Sequence, residues 1–135
     1  MKKITTIFLF LLIVLAFSAC LKPKSTTVIV KNSCDFQLTD IIFFCFQGED
    51  QVDQKSIGSL GAGSISQAIE ISDKVEKVAV SFKLSSTSAR YITVTKYLVK
   101  SNEENVITIE GSTYIKPYSS SKSSDEGVAI EDINM

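Results

Sequence analysis

The chain contains no histidine. That removes the commonest general base and the usual imidazole ligand for transition metals, and rules out a Ser-His-Asp or Cys-His site built from this chain alone. There is no Cys-x-x-Cys pair, so a thiolate metal site has no framework either. Proline occurs only at Pro23 and Pro117, which leaves the long stretch between them free for regular structure. No segment sustains a helical apolar period. Charge is nearly balanced, with 14 Lys+Arg against 15 Asp+Glu, and no basic stripe interleaved with aromatics runs along the sequence. Nucleic acid is therefore not an expected partner.

What the chain does have is a distinctive start. Lys2 and Lys3 precede an uncharged, mostly apolar run from Ile4 to Ala19, sixteen residues long. A bilayer-crossing helix needs about 20 residues, whereas the apolar region of an export signal needs only about 7–15. Small residues Ser18 and Ala19 then lead into Cys20. The stretch Phe17-Ser18-Ala19-Cys20 resembles the attachment site of bacterial envelope lipoproteins, with Phe17 where that pattern usually carries Leu. The resemblance implies that residues 1–19 are a signal peptide to be removed. It also implies that Cys20 carries diacylglycerol and a further acyl chain such as palmitate, at about 0.8 kcal/mol per buried CH₂. Residue 21 is Leu rather than Asp, so the same resemblance points to the outer membrane, on its periplasmic or surface face.

Residues 20–25 then form a lipidated N-terminus and short tether. Cys34 and Cys45 are the remaining cysteines. In an exported domain they are a candidate disulfide, worth roughly 2–3 kcal/mol for so short a loop. The alternative is two buried thiols packing as small apolar groups.

From residue 26 onward the sequence has a strand rhythm. Thr26 to Lys31 is β-branched, Leu38 to Gln47 is apolar on both faces around Ile41–Phe46, and Lys77 to Leu84 alternates cleanly. Further strands are expected near 65–71, 91–100, 105–110 and 113–116, with 91–110 forming a hairpin and the polar stretch Gly48 to Ser56 a loop. The residues after Pro117 are rich in Ser and acidic side chains, so 118–135 is expected to be a flexible tail. The expected fold is all-β: an antiparallel β-sandwich of about six to seven strands over 26–117. It resembles immunoglobulin-like or transthyretin-like sandwiches in rhythm, without the Cys-Trp-Cys hallmark of antibody domains, since there is no Trp.

Other constellations weigh less. Glu49, Asp50 and Asp53 are oxygen donors in a polar stretch, at a spacing unlike an EF-hand. Gly58, Gly61 and Gly63 lack the Lys-Ser/Thr ending of a phosphate loop. Tyr91, Tyr97, Tyr114 and Tyr118 either pack between sheets or present a platform for a sugar or peptide. The expected function is therefore non-catalytic: a lipid-anchored envelope module, with no cofactor or metal, that binds an unknown protein or glycan through the Gly48–Ser56 stretch or a sheet edge. One alternative is a surface-fibre subunit assembling by strand exchange, with Val128, Ala129, Ile130 and Ile133 in a donor segment. A second is an inhibitor of, or accessory to, an envelope hydrolase.

Overall fold

The computed structural model describes residues 24–84, 88–118 and 127–133. Residues 1–19, expected to be a signal peptide, and Cys20 lie outside the described residues. Among the described residues, ten strands form in chain order. They are β1 (Thr26–Asn32), β2 (Leu38–Gln47), β3 (Asp50–Leu60), β4 (Ile69–Ile71), β5 (Lys77–Leu84), β6 (Arg90–Thr93), β7 (Tyr97–Leu98), β8 (Glu104–Ile109), β9 (Tyr114–Pro117) and β10 (Val128–Ala129). A single 3₁₀ turn follows at Ile130–Asp132.

The strands build two sheets. The smaller has the order β4-β1-β8; the larger runs β10-β9-β6-β5-β2-β3, with β7 also pairing β5. The architecture is an all-β sandwich rather than a closed barrel. Pairing is antiparallel throughout except between β1 and β8, which run parallel from Thr27↔Glu104 to Asn32↔Ile109.

One apolar cluster lies between the sheets. Val28 and Val30 from β1 and Ile107 and Ile109 from β8 meet Leu38, Ile41 and Phe43 from β2 and Val78, Val80, Phe82 and Leu84 from β5. Most of these residues follow period two along their strands, which is why the two-residue alternation in the sequence locates β1 and β5 so well. Buried polar groups are matched. Asn32, fully buried, donates from Nδ2 to the carbonyls of Phe36, Leu60 and Gly61 at 2.8, 3.1 and 3.0 Å. Its Oδ1 accepts from the Cys34 amide at 3.0 Å. This one side chain ties the small sheet to the end of β3.

Four expectations need correction. Gly48–Ser56 is not a loop: a tight turn at Gly48 and Glu49 sends the chain straight back as β3, pairing Gln47↔Asp50 through Leu38↔Leu60. β3 is an edge strand with most side chains in solvent, so its polar residues forfeit no burial while its backbone still pairs with β2. The 91–110 segment is not a hairpin. It breaks into β6 and β7, and the chain then crosses to the other sheet as β8, where Ile107 and Ile109 are needed to complete the core. Within 65–71, only Ile69–Ile71 is a strand, with one further bridge between Lys31 and Ile65. Finally, the segment after Pro117 is not wholly a tail. Val128 and Ala129 pair with Ile115 and Tyr114, and Ile130 is fully buried in the core. An apolar triplet inside a polar stretch was enough to bring it back.

Candidate functional site

The outer face of the larger sheet, turned away from the core, is built by alternation. Phe43 and Cys45 point into the core, so Ile42, Phe44 and Phe46 point outward. Val78, Val80, Phe82 and Leu84 do the same for β5, leaving Lys77, Ala79, Ser81 and Lys83 outward. Register then sets the neighbours. Ile92 of β6 lies beside Ser81, Arg90 beside Lys83, Lys116 of β9 beside Ile92, and Leu98 beside Lys77.

This face is partly covered by its own chain. Phe44 is 4% exposed and Ser81 fully buried. The Tyr118 ring stacks on Phe44 with centroids 5.5 Å apart and planes 10° from parallel, and Lys96 sets its Nζ 4.3 Å from the centre of the Phe46 ring. Around this covered centre, Val94, Leu98, Tyr114 and Tyr118 remain exposed.

Two charged clusters stand at opposite ends. Near the β2–β3 turn, Glu49 accepts from Lys96 at 2.7 Å and from Lys77 at 3.0 Å. Those hydrogen bonds, Lys96 first, hold its carboxyl down to about 2. At the other end Asp40 accepts from Lys83 at 3.1 Å and from the Arg90 guanidinium, and the hydrogen bond from Lys83 leads in keeping its carboxyl below the ordinary value. Arg90 also donates to the Asp40 carbonyl at 3.0 Å and to Ser81 Oγ at 3.1 Å. Asp40 takes a φ of +50° at the point where the β2–β5 register shifts, and the bulge aims its carboxylate at the face. These exposed ion pairs add little to stability. Their effect is to fix where the cations stand.

The remaining candidates are dispersed. Cys34 and Cys45 are separate buried thiols. Cys34 Sγ lies 3.8 Å from the Ile109 carbonyl, near the start of β2, whereas Cys45 sits seven residues further along that strand, between Val78 and Asp53. An extended strand covers about 3.4 Å per residue, so most of the length of β2 separates them. Burial pushes both thiols up to about 11, which favours the inert protonated form. Asp53 pairs with Lys55 at 3.0 Å, and Asp50 opens β3. Among the described residues no group of three His, Cys, Asp or Glu is placed to hold a metal ion, and no helix is long and apolar enough to cross a membrane. Gly58 lies within β3 at a φ of +78°, and Gly63 in the turn after it at +72°.

The four tyrosines divide. Tyr91 and Tyr97 pack against the core, and burial raises the Tyr97 hydroxyl. Tyr114 and Tyr118 look out. Sequence reasoning named the tyrosines but missed Phe44, Phe46, Lys77 and Lys96 as their neighbours, because these residues come from separate strands and only the register joins them.

No family model matches the chain, and no curated protein compared with it matches. Among solved structures, the chain is similar to the "NMR structure of the protein from Eubacterium rectale". The TM-score is 0.52 at 13% identity, over 74% of this chain and 94% of that one. A likeness at that identity shows the fold alone.

Proposed function

We propose that this chain is a lipid-anchored protein of the bacterial envelope, acylated at Cys20, whose β-sandwich is a non-catalytic binding module. The observation that carries the binding reading is the outer face of the larger sheet. Tyr114 and Leu98 are 59% and 78% exposed there, beside Tyr118 and Val94, with fixed cations on either side. Exposed apolar side chains gathered on one face, ringed by charge, are the usual make-up of a recognition surface. The anchor reading is supported by the pattern of Lys2, Lys3, the apolar run and Phe17-Ser18-Ala19-Cys20, and the tether after it is short, so the module would work close to its membrane.

Mass spectrometry of the chain purified from bacterial envelopes tests the anchor. The expected product begins at Cys20 and carries a diacylglyceryl thioether, and Cys20→Ala should shift the protein out of the detergent phase. A retained leader, or a start at an unmodified residue, would refute the anchor.

A further inference from the structure

The outer face of the larger sheet concentrates positive charge that the chain as a whole does not have. Lys77, Lys83, Arg90, Lys96 and Lys116 stand on it or at its ends, against three carboxylates, Asp40, Glu49 and Glu76. The whole sequence carries slightly more acid than base, so the excess is local. Resting on the reading of this face as the binding surface, we infer that its ligand is an anionic polysaccharide, a chain of sugars bearing carboxylate groups.

Three features select that chemistry. The face is long: Lys77 and Lys83 are six residues apart on β5, about 20 Å in an extended strand, so an extended polymer can lie along it and meet a cation cluster at each end. The middle offers aromatic rings to the apolar C–H faces of sugars. Tyr114 and Tyr118 are exposed there and carry electron-rich rings, Tyr118 with one face on Phe44, and Ile42 and Ile92 are half-buried between the clusters. The cations are also held in place. Lys77 and Lys96 share Glu49, and Lys83 and Arg90 share Asp40, so they meet a ligand without first being ordered. Lys83 and Arg90 outnumber Asp40, so that cluster keeps a net positive charge, whereas at the other end Glu76, accepting from the Gly48 amide at 3.0 Å, joins Glu49 in balancing Lys77 and Lys96.

A lipid surface fits less well. Its contacts come from apolar tips that protrude into the acyl region and from long cations free to rise to the headgroups; here four of the five cations are tied down. A protein strand fits a sheet edge rather than a sheet face.

Binding of the full chain, in mild detergent, to polygalacturonate, hyaluronan and neutral dextran is the test, read by calorimetry. The expected result is binding to at least one of the two uronate polymers and none to dextran. That binding should weaken about tenfold or more between low and physiological salt, as screening removes the attraction. The pair Lys77→Gln with Lys96→Gln, and separately Tyr114→Ala, should each weaken it at least about fivefold. Lys31→Gln on the opposite sheet should leave it unchanged, and thermal melts should show all variants folded. The inference is overturned by failure to bind both uronate polymers, by equal binding of dextran, or by indifference to the face variants. It is also overturned if phosphatidylglycerol vesicles, rather than the polymers, distinguish the wild type from the Lys77/Lys96 variant. None of these results touches acylation at Cys20, so the ligand class can fall while the anchor stands.

Discussion

On the smaller sheet the outward residues of β1 and β8 are Thr27, Ile29, Lys31, Val106 and Thr108, with Glu70 and Glu104 beside Thr27. On the larger sheet they are Ile42, Phe44, Phe46, Ala79, Ser81 and Ile92, bounded by cations. The first face is ordinary solvent-side β structure, with Val106 55% exposed. In the second, Phe44 and Ala79 are buried although neither belongs to the central core. A strand that alternates has one wet face; a strand apolar at consecutive positions, as in Ile41-Ile42-Phe43-Phe44-Cys45-Phe46, has two faces to cover. The larger sheet covers its second face with the Tyr118 ring over Phe44 and the Lys96 ammonium over Phe46, and this partial cover leaves Leu98 and Tyr114 exposed beside it.

The sharpest way to break that contrast is a pair of neighbouring substitutions. Phe43→Ala empties a fully buried position between the sheets and should cost about 3–5 kcal/mol. Phe44→Ala, one residue along but on the far face, should cost clearly less, because the Tyr118 ring can settle into the space. Urea denaturation measures both, and equal losses would mean that the outer face is a second core. A somewhat smaller effect probes the tie between the sheets. Asn32→Asp keeps the shape but replaces a donor to three carbonyls with an acceptor, and should cost about 3 kcal/mol by the same measurement.

A further effect is a slope with pH. Burial raises Cys34 and Cys45 from 9.0 to about 11, so the folded chain keeps protons that the unfolded chain releases. Stability should hold below pH 9 and fall as pH climbs from 9 to 11. The double variant Cys34→Ala, Cys45→Ala should flatten that fall, and an unchanged slope would mean that the thiols are more accessible than their burial implies.

Legibility followed burial. β1, β2 and β5 were readable because their apolar residues face the core in register with the pleat, and β8 and β9 were found at nearly their true bounds. β3 was hidden because an edge strand satisfies its backbone through its neighbour and leaves Asp50, Asp53 and Lys55 in water, so its side chains resemble a loop's. The partner of β8 was hidden because pattern gives the face of a strand and not the sheet it joins. The candidate site was the least legible part. Its cations and rings lie in five separate stretches between Asp40 and Tyr118, and in linear order they look like scattered surface charge.

The parallel pairing of β1 with β8 has a mechanical consequence. A load applied at Lys24, where the chain leaves the sandwich toward its N-terminal end, acts along the axis of β1. Flanked by β4 and β8, that strand can slide only if its ladder gives way as a block, rather than peeling one rung at a time. With the proposed anchor at that end and the proposed ligand on its broad face, the module would resist tugging in the direction that this anchoring imposes.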